Sequence, residues 1–242
     1  MRLKIEFDLK HESLISDYRR CFLSYIKKAL EDYGGNEARE MFFKGQEPIV
    51  KPYTFSVMLP GAVFHEEKIQ LSSKSIALYF STYDFASAIT FYNSFLKQKQ
   101  IPFVLPDNNR MTMTRISSEK EKLIRKDTIK IRMMAPLCVR EHSREGNKDN
   151  YYTFEDHNFE KRLREIIKWQ IKHLPKLDQK IADTLTIKPL KARRTIVRYY
   201  GQLLDVSLGT FLLSADPLLL NYLYMEGIGS RRGSGFGMFD VI

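Results

Sequence analysis

Gly227-Ile-Gly-Ser-Arg-Arg-Gly-Ser-Gly-Phe-Gly-Met-Phe-Asp-Val-Ile242 holds five glycines, two adjacent arginines and then an apolar run. Glycine takes backbone angles closed to other residues and lets a loop press against a ligand. Successive exposed N–H groups in such a loop can surround an anion, and Arg231 and Arg232 add positive charge at the same place. A Walker loop requires Gly-Lys-Ser/Thr followed by a helix. Here Arg-Arg-Gly-Ser occupies that place, and residues 236–241 read as a strand. A dinucleotide loop requires an acidic residue about 20 positions further on, beyond the last residue of this sequence. Two readings stay open: a phosphate-facing loop, or a glycine-rich turn that feeds a last strand.

Working outward, Asp216-Pro217 combines a cap acceptor with a first-turn proline and starts a short helix carrying Leu218, Leu219 and Leu223. Residues 194–200 and 203–213 read as strands around Gly201, and 128–134 as an earlier strand. Thr153-Phe-Glu-Asp156 has a capping-box pattern. It is expected to open an amphipathic helix whose buried face is Phe159, Leu163, Ile166, Ile167 and Leu174. Residues 141–150 are strongly polar and read as an exposed loop.

The first half has the same order. Leu3, Ile5, Phe7 and Leu9 alternate with Arg2, Lys4, Glu6 and Asp8, as in a half-buried strand. Residues 13–32 switch to helical spacing, with Leu14, Tyr18, Cys21, Phe22, Tyr25, Ile26 and Ala29 on one stripe and Gly34-Gly35 as the stop. Residues 51–59 and 75–81 read as strands joined by an excursion around Pro60-Gly61, 85–96 as a helix, and 103–105 as the start of a fourth strand. Each half is β-α-β-β-α-β, the ferredoxin-like unit. The expected class is α+β with two tandem ferredoxin-like (RRM-like) domains, residues 1–120 and 121–242, meeting in the polar stretch 117–126. The halves show no sequence similarity to each other, so the repeat is architectural.

The 242 residues carry a net charge of +10 and 43% hydrophobic residues, which supports packed cores and points to an anionic partner. Sixteen Phe and thirteen Tyr supply surfaces suited to unpaired bases. Cys21 and Cys138 are too few and too far apart for a metal box or a disulfide framework, so no metal and no cofactor are expected. Met1-Arg-Leu-Lys-Ile has no signal-peptide core and no apolar run reaches membrane-spanning length, so a reducing cytoplasmic setting is expected.

Residues 209–239, Gly-Thr-Phe-Leu-Leu-Ser-Ala-Asp-Pro-Leu-Leu-Leu-Asn-Tyr-Leu-Tyr-Met-Glu-Gly-Ile-Gly-Ser-Arg-Arg-Gly-Ser-Gly-Phe-Gly-Met-Phe, resemble the end of the CRISPR-associated endoribonuclease that processes precursor CRISPR RNA. Lys51-Pro-Tyr-Thr-Phe-Ser56 resembles that family's strand after the first helix. The resemblance implies an RNA-binding cleft between the domains, floored partly by the Gly-rich loop. It implies metal-independent attack of the RNA's own 2′-OH on the adjacent phosphate, giving 2′,3′-cyclic phosphate and 5′-OH ends. The implied partners are CRISPR repeat RNA, proteins of a CRISPR effector complex and a second copy of the chain, with no membrane. A non-catalytic repeat-RNA-binding relative and a structural subunit of an effector complex are the alternatives within the same resemblance.

Such chemistry needs a base for the 2′-OH proton, an acid for the 5′-oxygen and cationic donors for the phosphorane. Where the family often has Leu-His-x-x-Gly, this chain has Met41-Phe-Phe-Lys-Gly45, with Phe42 in place of His. His65 and His142 read as ordinary loop histidines with a general-base alternative; His11, His157 and His173 read as decoration near helix ends. Cationic and hydroxyl side chains are therefore the catalytic candidates: Lys28, Tyr33, Lys44, Lys51, Arg231 and Arg232. Helix geometry puts Lys28 at the stripe edge and turns Lys27 away; Lys28 is either a contact to the second domain or a snorkelling surface lysine. Arg193, Arg194 and Arg198, with Lys191, form a second basic cluster. Arg194 and Arg198 share a strand face that is either a phosphate track or solvated sheet. Gly227, Gly229, Ser230, Gly233 and Ser234 complete the expected RNA contacts.

Overall fold

Alternation in the first strand, β1 (Arg2–Leu9), puts Leu3, Ile5, Phe7 and Leu9 in the core, each at most 4% exposed. In a computed structural model of the chain, the described residues are 1–43, 50–143, 146, 148–175 and 177–242. β1 is followed by β2 (Ser13–Ile15), α1 (Tyr18–Phe43), β3 (Thr54–Met58), β4 (Val63–Phe64), β5 (Lys68–Gln70), β6 (Ser75–Ser81), α2 (Phe85–Lys97), β7 (Pro102–Val104) and β8 (Arg110–Ser118). The second half contains β9 (Thr128–Met133), β10 (Val139–Ser143), β11 (Lys148–Tyr152), α3 (Phe159–Ile171), β12 (Thr186–Tyr199), β13 (Gln202–Ser214), α4 (Pro217–Glu226) and β14 (Phe239–Val241).

The two main sheets have orders β3-β6-β1-β8-β7 and β12-β13-β9-β14. Counting the four principal strands of each half in chain order, both sheets run 2-3-1-4, and every ladder between named strands is antiparallel. This is the tandem ferredoxin-like arrangement read from the sequence. One apolar core sits under the first sheet around Phe7, Phe22, Phe80 and Phe91, and another under the second around Leu163, Ile167, Phe211 and Leu223. No described helix is long and apolar enough to cross a membrane.

Several local expectations are corrected. Leu14 belongs to strand β2, which pairs with the β5 strand of the excursion, so helix α1 begins only at Tyr18. Gly34-Gly35 kinks α1 rather than ending it: Gly35 has φ 68°, and helix resumes to Phe43 because Phe42 finds a core site against Phe91. The fourth strand of the first half is β8, which pairs along β1; residues 102–104 only flank it. The capping-box side chains close a turn before α3, with Thr153 donating to Asp156, and the helix starts at Phe159 without a side-chain cap. Residues 141–150 are no simple loop. Residues 141–143 and 148–150 pair as strands β10 and β11, whose charged side chains hid their strand character. Leu218 is exposed, and the last strand starts at Phe239, after Phe236 has packed against Tyr199 in the loop.

Candidate nucleic-acid interface

Arg19, Leu23 and Lys27 lie four apart along helix α1, and the first of them reaches the Gly-rich loop. Arg19 Nε donates to the Gly235 carbonyl at 3.1 Å, and its guanidinium lies over the Phe236 ring. One turn beyond Leu23, Lys27 Nζ stands 5.0 Å from the Phe43 ring, while Lys51 Nζ lies 4.1 Å from the same ring. Burial, then the charge of Lys27, pulls the Lys51 ammonium down to about 8. A Cβ at Gly233 would fall 2.7 Å from Lys51 Cδ, so the missing side chain is what lets the lysine lie against the loop.

Above this contact opens a cleft of roughly 620 Å³, lined by Lys51, Arg140, Arg162, Arg231, Trp169 and the loop between Gly229 and Ser234. Arg231 sits at φ 58° and lines the cleft, its guanidinium 5.9 Å from the Tyr151 ring and 5.3 Å from the Tyr199 ring. Its Nη2 donates to the Tyr151 hydroxyl at 2.9 Å and to Asp149 Oδ2 at 3.2 Å. Asp149 also accepts from Arg140 at 3.1 Å and lies 2.8 Å from His142 Nδ1. Burial pushes the Asp149 carboxyl up, but the His142 and Arg140 hydrogen bonds outweigh it and hold it below the usual range. The β10–β11 hairpin is thus fastened to the Gly-rich loop through one carboxylate.

The neighbouring arginine borders the same cleft, but its guanidinium is committed inside the protein. Arg232 is 6% exposed, and its Nη1 donates to the Glu226 carbonyl at 2.7 Å and to Glu226 Oε2 at 3.2 Å. Burial raises the Glu226 carboxyl, while Arg232 and the Tyr83 N–H, 2.8 Å from Oε1, oppose that rise. The structure thus places Arg232 as an internal brace, in contrast to the expected partner of an external phosphate. The loop's amides are also largely committed: Gly227 N donates to Leu223 O, Ser230 N to Cys138 O, Ser234 N to Arg231 O and Gly237 N to Pro136 O. An open nest of N–H groups is not what these bonds form. Gly229, Ser230, Gly233 and Ser234 still line the cleft, whereas Gly227 sits at the end of α4 against Thr54.

The remaining candidates lie elsewhere. Lys28 pairs with Asp32, which also accepts from Gln98 beyond α2, so it faces away from the cleft. The expected order of Lys27 and Lys28 is reversed because α1 is buried over a wide arc that includes Leu23. Tyr33 is 43% exposed, with Asn93 as its hydroxyl's partner, and Lys44 lies outside the described residues. Phe42 is 3% exposed in the first core, so it is Phe43 that stands beside Lys51. Arg193 and Arg198 line a second groove of roughly 520 Å³ between the halves, with Tyr18, Phe55 and His65. Arg198 lies 3.7 Å from Glu66, and Arg194 pairs with Asp205 across the β12–β13 hairpin at 2.8 Å.

Arg140, Asp149 and Trp169 beside the cleft, and Lys27 beside Lys51, carry no expectation from the sequence, and His142 carries only its general-base alternative. A signal existed for Lys27 in the i, i+4, i+8 row from Arg19. For the hairpin residues the signal was weak, because Arg140 opposite Tyr151 and His142 opposite Asp149 are visible as pairs only once the strands are in register. Among the described residues, no three His, Cys, Asp or Glu side chains gather as a metal ligand set.

Residues 118–241 match the sequence model of a family described as CRISPR associated protein Cas6, C-terminal. No curated protein sequence is significantly similar to the chain. Among solved structures, one from the characterization of a Cas6-related gene from Pyrococcus furiosus has a TM-score of 0.83 at 21% identity, covering 100% of this chain and 98% of that one. A RAMP protein binding different RNA substrates gives 0.82 at 21% identity over 100% and 99% of the two chains. A Cas6 product complex gives 0.72 at 14% identity over 100% of both. At these identities the likeness is one of fold.

Proposed function

Because the chain belongs to the CRISPR-associated protein Cas6 family, we propose that it binds CRISPR repeat RNA and cuts it by attack of the RNA's own 2′-OH. The observation that carries this reading is Lys51, half-buried against Gly233 at the base of a cleft that also holds Arg140 and Arg231. The solved RAMP protein that binds RNA substrates and the Cas6 product complex share the fold, which supports the same direction.

In this mechanism Arg231 and Arg140 hold the phosphates so that the 2′-oxygen, phosphorus and 5′-oxygen fall in line. The 2′-oxygen bonds to phosphorus and the bond to the 5′-oxygen breaks, leaving 2′,3′-cyclic phosphate and 5′-OH ends. Water takes the 2′-OH proton. The Lys51 ammonium stabilises the charge on the phosphorane and gives a proton to the departing 5′-oxygen. No metal is needed to supply the nucleophile, since it already stands beside its target. Effector-complex proteins and a second copy of the chain belong to this proposal as partners, tested by co-purification and sedimentation, as do a cytoplasmic setting and a domain boundary at residue 120.

One observation favours a second reading, repeat-RNA binding without cutting: a phenylalanine occupies each position near the expected histidine, Phe42 in the core and Phe43 beside Lys51. A single experiment separates the two. Repeat RNA with one 2′-deoxy nucleotide just upstream of the cut is expected to bind nearly as well as the unmodified RNA and to resist cleavage, and EDTA is expected to leave cleavage of the unmodified RNA unchanged. Normal cutting of the deoxy substrate, or loss of cutting in EDTA that magnesium restores, overturns the mechanism. Tight binding with no cutting of the unmodified RNA replaces it with the second reading.

A further inference from the structure

We propose that Trp169, the only tryptophan in the chain, is the stacking platform for one unpaired RNA base next to the phosphates held in the cleft. This inference rests on the RNA-binding reading above. Helix α3 turns Phe159, Leu163, Ile167 and Ile171 into the core. Arg162, Ile166 and Trp169 form a second row that lines the cleft instead. Trp169 is 45% exposed there, whereas the other exposed positions of the helix, Lys161 and Glu165, are charged. At 45% exposure the indole leaves a flat apolar face open at the cleft wall, and every nucleobase offers it a flat partner.

The charges around it sort the two parts of a nucleotide. On the side of the Gly-rich loop Lys51, Arg140 and Arg231 outnumber the one carboxylate among them, Asp149, and draw phosphate there. On the helix side Arg162 is already taken up by Glu141 at 2.6 Å and Glu165 at 2.7 Å. Those carboxylates repel phosphate and leave the ring to a neutral base. The platform is also held in place. Gln170, the next residue, donates to the Gly227 carbonyl at 3.1 Å, so this turn of α3 is tied to the loop, and little ordering is needed on binding.

The sole tryptophan makes the test direct. Fluorescein-labelled RNA of the organism's own CRISPR repeat is titrated into the full chain, with binding followed by anisotropy and Trp169 followed by its intrinsic emission. The expected result is quenching in step with anisotropy. Trp169→Leu weakens binding about 5- to 150-fold, the range of one base–aromatic stack, and Trp169→Tyr keeps most of the affinity. In a series of single abasic substitutions along the repeat, one position weakens binding to the wild-type chain and not to Trp169→Leu. RNA that binds by anisotropy while the emission stays unchanged overturns the platform and leaves the RNA reading intact. Wild-type affinity in Trp169→Leu does the same. RNA that fails to bind the wild-type chain at all overturns the RNA reading itself and the platform with it.

Discussion

Arg231 and Arg232 are adjacent, chemically identical and both border the cleft, yet the Arg231 side chain stays 21% exposed while Arg232, at 6%, is a buried brace. Their separation comes from the left-handed backbone at Arg231, φ 58°, which reverses the chain between them. Arg232→Ala strands the Glu226 carboxylate, itself 2% exposed, and is expected to cost about 3–5 kcal/mol of stability. Arg231→Ala is expected to cost far less. Thermal melts of the two variants without RNA check the contrast, and equal melting temperatures would contradict it. Lys51 gives a pH prediction at the same scale. Its folded-state value of about 8 lies below the ordinary lysine range, so the ammonium is present at neutral pH and is lost as pH climbs through 8. If that ammonium is the acid, kcat/KM bends downward near pH 8, because this ratio reports the free protein's groups. Lys51→Arg, which keeps its charge at all these pH values, removes the bend. A profile identical in both proteins assigns the proton to another group.

Among the elements, the β10–β11 hairpin shows how a segment rich in charge acquires a role. Arg140, His142 and Tyr151 all reach Asp149, and Asp149 reaches Arg231. If Arg231 holds an RNA phosphate as proposed, Arg231→Ala weakens repeat-RNA binding and lowers the slope of log K against log salt by about 1. An unchanged affinity and slope would make the Gly-rich loop a purely structural turn. In the sequence, polar residues such as Arg140, Glu141, Lys148 and Asp149 gave this segment the composition of a loop. Strand pairing overrode that signal, because the hairpin has a partner surface in the loop that no local window contains. The kink at Gly34-Gly35 has a related cause. Two glycines end a helix by local preference, but Phe42 has a core site waiting beyond them.

At the scale of the whole molecule, the two sheets share one strand order and are fastened together by polar contacts. Arg2, on the first strand and 4% exposed, donates to Tyr224 O at 2.8 Å and to Phe239 O at 3.2 Å in the second half. Thr54 donates to Phe236 O, Ser56 to Met134 O, and Glu226 accepts from Tyr83. The two halves are therefore expected to melt in one cooperative transition. Arg2→Ala, which removes two hydrogen bonds from a charged donor, is expected to cost about 3 kcal/mol. Calorimetry checks both, and two resolved transitions in the wild-type chain would show that these bonds do not couple the halves.

By itself the sequence determined the β-α-β-β-α-β order of each half, the Asp216-Pro217 helix start and the Gly-rich loop before the last strand. These follow from periodicity, caps and glycine, which act over a few residues. It also placed Lys51 and Arg231 among the candidates, Lys51 in a segment with a family resemblance and Arg231 because its glycine neighbours give an arginine no packing need. Only the tertiary structure decided that Lys27 rather than Lys28 joins Lys51, that Arg232 points inward, and that Trp169 opens onto the same cleft as Arg140. Those outcomes depend on which face of α1 meets the loop and where α3 lies across from β10. Long-range packing sets such relations between faces, and a local sequence window carries no record of them.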